Sequence, residues 1–252
     1  MLHGYIEAFK IYHFNDNNDV MLLPKGVFEI VFQSERSFQH NTHYSSGWKL
    51  RPRNFVGGLH NQFYNVNSGT DENYCITVEF KPNSAKYFIP EKLNAFKNAV
   101  IDINDIWGKA AIALSQKIDR EKSYLKKLEH IENFLLQNLL SPKVSVIDMA
   151  LQNILANKGI VKVDDLCRNA CLSPAQFRKR FNEEVGISPS QYNKIVRVNE
   201  ALDTIKKNNN SLTDLSYSLG YFDQSHFIKD FKSIVGLSPK KYQATLVWKL
   251  SI

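Results

Sequence analysis

The sequence predicts two domains, an N-terminal mainly-β sandwich of jelly-roll type with flanking helices and a C-terminal all-α domain. Three observations predict this division. Larger apolar side chains fall at every second position of Tyr74–Lys81, as a half-buried strand requires. From about residue 84 the apolar residues recur at the three- and four-residue steps of helices. A segment of the C-terminal part also repeats itself at an offset of 50 residues, which indicates a duplicated structural unit.

The composition fits a globular chain with a substantial core. Of 252 residues, 43% are apolar and 23% are charged, which excludes a mainly disordered, collagenous or disulfide-framework protein. The apolar runs are far shorter than the roughly 18 residues of a membrane helix. Residues 1–10 lack a signal-peptide pattern, and three cysteines form no framework. These features predict a reduced, cytoplasmic protein.

The predicted boundaries follow the change of pattern along the chain. Residues 1–119 form the β domain, in which Gly26–Gln33 and Asn54–Leu59 are further short strands. Residues 120–140 form an amphipathic helix that ends at Ser141-Pro142, where we place the domain boundary. Its apolar stripe consists of Tyr124, Leu128, Ile131, Leu135 and Leu139. Residues 141–252 form the helical domain.

Nearly all the excess positive charge lies in the helical domain. Residues 1–140 carry 16 Lys/Arg and 15 Asp/Glu, a net of +1, whereas residues 141–252 carry 16 and 10, a net of +6. A concentrated positive field attracts polyanions such as nucleic acid. A solvated basic face is the alternative interpretation.

The internal repeat predicts two helix-turn-helix motifs. Phe177–Tyr192 aligns without gaps on Phe227–Tyr242, with 8 of 16 pairs identical. Each copy has a short helix, a tight turn and a second helix, at about 163–186 and about 212–236. The helix 188–207 joins them and spans about 30 Å, close to one turn of B-DNA. Two second helices could therefore enter successive major grooves on one side of a duplex, without a dimer.

The second helix of each copy has an apolar and a polar face. Phe pairs four residues apart face the core in both helices. The outward residues are Arg178, Lys179 and Asn182 in the first copy and Gln224, Ser225, Lys229 and Lys232 in the second. Such residues can merely solvate a helix bundle, but two basic copies in the domain with the charge excess favour DNA binding.

These motifs resemble the DNA-binding domain of the AraC/XylS family of bacterial transcription factors, over residues 144–242. The most specific part is the run LGYFDQSHF at 219–227, followed by FK at 231–232 and VGLSP at 235–239. The N-terminal part is similar to a sensor-type domain found in front of it, through LPKG at 23–26 and FKP at 80–82. The resemblance implies a sequence-specific transcriptional regulator.

The resemblance also implies which residues contact DNA. Outward residues near the start of each second helix would contact base edges, namely Ala175, Arg178, Lys179, Gln224, Ser225 and Lys229. Ile228 would contact a thymine methyl. Arg and Lys suit guanine O6/N7 and Gln suits adenine N6/N7. Asn182, Arg197 and Lys232 are assigned to phosphates, with intramolecular pairing as the alternative for Arg197 and Lys232.

One departure from the family pattern concerns the first turn. Cys171 stands where the second copy has Gly220. If the backbone is left-handed there, Cys costs about 1 kcal/mol.

No catalytic or cofactor motif accompanies these features. His40 and His43, with His60 further on, have a spacing that a metal could use, but exposed loop histidines are the favoured interpretation. Cys167 and Cys171 are interpreted as small core residues. A group of aromatic residues could line a ligand cavity or simply form the core, namely Phe28, Phe32, Trp48, Phe55, Tyr64 and Phe80. We predict no cofactor and no enzymatic activity.

Two other function classes stay open. One is a DNA-associated enzyme, such as a repair alkyl transferase, for which Cys75 lacks a nucleophile motif. The other is a non-specific architectural DNA binder. Expected partners are double-stranded DNA, a second copy bound through helix 120–140, a small-molecule effector and RNA polymerase. The alternative for the stripe of helix 120–140 is packing on the chain's own sandwich.

Overall fold

The N-terminal domain consists of two antiparallel sheets that face each other. The computed structural model describes residues 2–14, 19–34, 38–42, 47–67, 73–140, 144–207 and 211–249. The strands are β1 (Ile6–Phe14), β2 (Asp19–Leu22), β3 (Glu29–Gln33), β4 (Gln39–Thr42), β5 (Lys49–Leu50), β6 (Asn54–Gly57), β7 (Tyr64–Asn67), β8 (Asn73–Phe80) and β9 (Val100–Asp102). The first sheet has the order β1-β8-β3-β6-β9 and the second β2-β7-β4-β5. The predicted sandwich is confirmed.

Strand β8 shows why the first sheet is buried on both faces. Ile76, Val78 and Phe80 are fully buried in the main apolar core, as their alternation predicts. The intervening Cys75 and Thr77 face the space between the two sheets. The interior of this domain therefore has an apolar core on one side of the first sheet and a cavity on the other.

Three helices pack against the first sheet. They are α1 (Ile103–Trp107), α2 (Lys109–Arg120) and α3 (Tyr124–Gln137). Helix α3 is shorter than the predicted helix 120–140, because α2 ends at Arg120 and the Ser123 backbone at the start of α3 is extended. The boundary predicted at 141–142 lies outside the described residues.

The apolar stripe of α3 packs within its own chain. Ile131 and Leu135 have no exposed surface and belong to the main core, and Leu128 packs partly against it. These side chains are thus covered without a second copy, as the alternative interpretation requires. The exposed large apolar residues of α3 are Leu125, at 73%, and Leu136, at 39%.

The helical domain contains seven helices within the described residues. Its helices are α4 (Val146–Ala156), α5 (Val163–Asn169), α6 (Pro174–Val185), α7 (Pro189–Lys207), α8 (Leu212–Ser218), α9 (Gln224–Val235) and α10 (Pro239–Lys249). Helices α5 and α6 lie within the first motif range, 163–186, and α8 and α9 lie within the second, 212–236. Ser173 begins α6 with a capping box, and Gly186 ends it in a left-handed conformation. Asp223 and Gly236 do the same for α9, without the box.

The two domains share one apolar interface. Gly26, with φ of 77°, brings its backbone to Tyr192 and Ile195 of α7. The backbone at Gly186 approaches Phe28 in the same way. On the second motif, the Phe63 N–H donates to the Ile234 carbonyl at 2.8 Å. Both helix-turn-helix motifs are therefore docked on the β domain.

The turns of the two motifs both use a left-handed residue. Gly220 has φ of 73°, and Cys171 has φ of 52° at the equivalent place. Glycine adopts this region without a steric penalty, whereas a Cβ atom approaches the carbonyl oxygen. The left-handed backbone on which the expected strain at Cys171 depends is therefore present.

We predict that Cys171→Gly raises the free energy of unfolding by about 1 kcal/mol, because it removes this strain at an exposed position. Urea denaturation of the full chain measures the change. Cys171→Ala is the matched control, because it removes the thiol and keeps the Cβ atom. Equal stabilisation by both substitutions would contradict the backbone explanation.

Candidate DNA interface and interior cavity

Helix α6 presents a basic face to solvent. Phe177 and Phe181 are fully buried and fix the orientation of the helix. Ala175, Arg178 and Lys179 are consequently exposed. Among the described residues, no ion pair engages either of the two cationic side chains. They are available for an external anion.

Helix α9 has the same arrangement. Ser225, Lys229 and Lys232 are exposed, whereas Gln224 is half-buried. Ile228 is half-buried as well and packs partly against the main core. The structure thus brings the predicted outward residues of α9 to one surface, with Ile228 at its edge.

The two remaining predicted residues lie deeper. Asn182 is half-buried near the end of α6, where its carbonyl accepts from the Gly186 N–H at 2.9 Å. The Arg197 guanidinium stacks on the Tyr221 ring at 4.6 Å and lies 3.8 Å from the Asp230 carboxylate. Arg197 therefore makes the intramolecular pairing that was its alternative assignment.

Asp230 fixes α9 against the connecting helix α7. Its buried carboxylate forms an ion pair with the Lys194 ammonium at 2.7 Å, and the Arg197 guanidinium is next to its other oxygen. His226, one turn earlier on α9, is 3.7 Å away. A buried carboxylate with two cations from one neighbouring helix sets the rotation of α9 about its own axis.

Asp230→Asn should lower the free energy of unfolding by about 2 kcal/mol, since it leaves Lys194 and Arg197 without their anion. Asp203→Asn is the matched control: Asp203 is exposed on α7 and pairs with Lys206 at 3.9 Å, so its loss should cost well under about 1 kcal/mol. Urea denaturation compares the two variants. Equal, small effects would show that the Asp230 cluster does not stabilise the domain.

Ion pairs also attach α6 to the β domain. Lys86 pairs with Asp148 of α4 at 2.8 Å and with Glu184 of α6 at 2.9 Å, and all three side chains are largely buried. Burial alone would lower the pKa of Lys86, but the two carboxylates raise it. Lys92 pairs with Glu183 at 2.8 Å. The C-terminal end of α6 is thus held on the β domain while its N-terminal end projects outward.

The β domain encloses a cavity of about 310 Å³ between its two sheets. This volume is at the lower end of the range for small-molecule sites. Most of the lining is apolar and comes from strands of both sheets, with Phe14, Val20, Leu22, Val31, Phe38 and Val66 as examples. Polar groups at the wall include Arg51, Glu29 and His60.

Arg51 is the charged group of this cavity that lacks a counterion. Its side chain is buried, with the guanidinium 4.9 Å from the Phe55 ring centroid and 5.2 Å from that of Tyr64. Within the described part of the chain, no carboxylate lies within 4 Å of it, and Nε and Nη2 have no hydrogen-bond partner. The Tyr64 hydroxyl is a hydrogen-bond partner of Arg51, but it carries no compensating charge. A buried guanidinium without a counterion is costly, so the site fits an anion.

The other titratable groups leave the cavity with a positive surplus. Glu79 is already paired with both Lys10 and Lys25. Burial and the charge of Arg51 lower the pKa of His60 to about 3 and that of His40 to about 4, so both are neutral at pH 7. Burial raises the pKa of Glu29, which weakens its ability to balance Arg51.

Other predicted features have plain structural roles. The structure describes no group of three or more metal-binding side chains, although His43 lies outside the described residues. His60 is buried in the cavity wall, not exposed as expected. Burial raises the pKa of Cys75 to about 11, which disfavours its thiolate. Cys167 is a buried core residue, as predicted. The same prediction is wrong for Cys171, which is exposed because it lies in the turn between α5 and α6.

Of the six aromatic residues considered for a cavity, Tyr64 lines it. Phe28, Phe32, Phe55 and Phe80 are buried, and Trp48 is 40% exposed. Sequence reasoning missed Arg51, because an arginine between short apolar runs carries no local sign of burial. Within the described ranges, no helix combines the length and apolar character needed to span a bilayer.

The geometry defines a class of protein: a β sandwich with an interior cavity joined to a tandem helix-turn-helix domain with two basic helix faces. Comparison with known families also divides the chain into these two parts. Residues 166–245 match the model of a helix-turn-helix domain, and residues 1–102 match a domain of unknown function, DUF6597. The chain carries an AraC-type helix-turn-helix DNA-binding domain.

Curated relatives are bacterial transcriptional regulators. An uncharacterized HTH-type regulator of Haemophilus influenzae is 30% identical over 84 residues, which is 33% of this chain and 28% of that protein. The arabinose operon regulatory protein of Escherichia coli is 23% identical over 124 residues, 49% of this chain and 42% of that protein. The chain thus aligns with less than half the length of these relatives.

Solved structures share the whole two-domain fold. ToxT from Vibrio cholerae superposes with a TM-score of 0.53 at 11% identity, covering 94% of this chain and 97% of ToxT. A second ToxT structure, bound to (E)-4-(8-methylnaphthalen-1-yl)but-3-enoic acid, gives 0.51 at 13% identity, with 95% and 98% covered. At such identities the likeness concerns the fold.

Proposed function

We propose that this protein is a sequence-specific transcriptional regulator that binds duplex DNA with α6 and α9. The observation that carries this proposal is the pair of basic, unpaired helix faces on a duplicated motif. Helix α7, with 19 residues, spans about 30 Å between the two motifs, close to the pitch of B-DNA. Two successive major grooves on one side of the duplex fit this arrangement.

The outward residues near the start of each helix are assigned to the bases. Arg178, Lys179 and Lys229 suit guanine, and Gln224 suits adenine. Ala175, Ser225 and Ile228 add smaller contacts. Lys232 and Asn182 lie further along their helices and are assigned to phosphates. Arg197 is assigned mainly to holding Tyr221 and Asp230, because both already contact its guanidinium.

An enzyme or an architectural DNA binder is less well supported. No described residues form a metal cluster, and the buried Cys75 thiol has a raised pKa. Apart from Lys179 and Lys229, the outward residues of the aligned segments differ between the two copies, such as Arg178 against Ile228. This difference favours base reading over uniform phosphate binding.

Arg178→Ala and Lys229→Ala should each weaken binding to a DNA site selected from random duplexes by about 1–3 kcal/mol. Affinity for random DNA should change much less, because phosphate contacts supply it. Fluorescence anisotropy with both duplexes, at two salt concentrations, measures the ratio.

Arg180→Ala is the matched control for this prediction, because Arg180 lies on α6 beside Glu184 at 3.6 Å and has no assigned base. Its specific-to-random ratio should stay near the wild-type value. If Arg178→Ala and Lys229→Ala weaken both duplexes equally, these side chains contact phosphates and the assignment to bases is wrong.

We further propose that the cavity binds an anionic small molecule with an apolar body, which acts as the effector. Arg51 would pair with the anion, and the apolar walls would cover the remainder. The ToxT structure with a bound carboxylic acid supports this ligand class for the shared fold.

A matched pair of probes tests this proposal, namely 4-phenylbutyrate and its uncharged amide. We expect the carboxylate to raise the melting temperature of the full chain and the amide to have little effect. Arg51→Gln should weaken carboxylate binding about tenfold or more, because it removes a charge-assisted hydrogen bond. Lys109→Gln, at an exposed position of α2, should leave carboxylate binding unchanged. Equal binding of acid and amide would rule out the role of Arg51.

Dimerisation through 120–140 and contact with RNA polymerase stay predictions. The self-packed stripe of α3 gives the dimer little support, since Leu135 has no exposed surface. Sedimentation of the full chain measures its oligomeric state.

A further inference from the structure

The two turns of the duplicated motifs differ in length by one residue. The Cys171 N–H donates to Arg168 at 3.0 Å, and the Gly220 N–H donates to Tyr217 at 2.9 Å. The next residue repeats the match, since the N–H groups of Leu172 and Tyr221 each donate to a carbonyl five residues earlier, at 3.2 and 3.1 Å. The copies are thus equivalent at an offset of 49 residues up to Tyr221.

From the helix caps onward, the two copies are equivalent at an offset of 50 residues. Ser173 caps α6 directly after Leu172, whereas Asp223 caps α9 two residues after Tyr221. The extra residue of the second motif is therefore Phe222. The first motif has no counterpart of this side chain.

Phe222 does not contribute to the core. Its exposed fraction is 90%, the highest among the exposed large apolar residues of the described chain. The preceding Tyr221 is 3% exposed and fills the apolar position of the turn, on Phe227 and His226. Burial in this fold stabilises a 90% exposed ring very little, so the inserted side chain is available for a contact outside the chain.

The position of Phe222 indicates what that contact is. It directly precedes Asp223, whose carboxylate accepts from the His226 N–H at 2.7 Å. Phe222 therefore lies at the N-terminal end of α9, beside Gln224 and Ser225. This end of a recognition helix is the part that reaches base edges.

The chemistry of the base edges indicates which group the Phe222 ring can contact. In the major groove, the thymine 5-methyl group is the apolar feature that a side chain can contact. Phe222 has no hydrogen-bond donor for a phosphate, and the adjacent Asp223 carboxylate repels one. Ile228 is half-buried against the core and less free to make such a contact.

We propose that Phe222 is a specificity residue that packs on a thymine methyl group in the half-site read by α9. The inference rests on the proposed DNA binding and deepens it. Because the first motif lacks the inserted residue, this apolar contact belongs to the second half-site alone. The half-site of α6 is then read mainly through Arg178 and Lys179.

Thymine-to-deoxyuridine exchange tests the contact by removing one methyl group at a time. The full chain first selects its site from random duplexes, and each thymine in the α9 half is then exchanged. We expect one exchange to weaken wild-type binding about fourfold, the value of one buried methyl group. Phe222→Ala should weaken binding to the thymine site at least as much and should be insensitive to that exchange.

Two control variants separate this contact from other effects. Tyr217→Ala removes a 59% exposed aromatic ring from α8 of the same motif and should keep the wild-type response to deoxyuridine. Phe222→Leu should keep part of the response, because it retains apolar surface. Unchanged melting temperatures confirm that each variant is folded.

The outcomes are distinct. Wild-type binding that ignores every exchange, or a Phe222→Ala variant that responds like wild type, overturns the methyl contact while leaving the regulator proposal standing. A chain that selects no site from random duplexes overturns the proposed function and this inference with it.

Discussion

The apolar contact between the β domain and the helices α6 and α7 determines the rest of the architecture. Phe28 and the backbone at Gly26 meet Tyr192, Ile195 and the end of α6 in one continuous core. The φ of 77° at Gly26 favours glycine, because other residues are strained in this left-handed region. Around this contact, ion pairs of Lys86 and Lys92 hold α6, and Asp230 holds α9. The outward faces of both helices are consequences of these inward contacts.

The same interface brings the cavity close to the helical domain. Lys25 lines the cavity, and the next residue, Gly26, touches α7. His60 also lines the cavity, and Phe63, three residues later, bonds to the end of α9. Each motif is thus connected to the cavity wall by a few residues of backbone. A molecule that displaced either segment would change the setting of a motif without any contact with it.

Local signals predicted the helical domain well because capping and periodicity are local properties. The residues at which α6 and α9 begin and end are set by the caps Ser173 and Asp223 and by the glycines that follow each helix. The packing of Leu135 and the half-burial of Ile228 depend on neighbouring elements, which the pattern of one helix does not specify. Most of the cavity lining was missed as well, because it also depends on how neighbouring elements pack. Alternation along β8 predicts two faces, but the spacing between two sheets and the burial of Arg51 arise from residues distant in sequence.

The one-residue difference between the turns has a consequence for symmetry. Regulators that bind as two-fold dimers present identical surfaces to both half-sites, so their sites read the same in either direction. Here one chain carries two related but unequal motifs, and Phe222 has no counterpart in the first. If both motifs engage DNA, the bound site has a polarity. The chain would then distinguish upstream from downstream even as a single molecule.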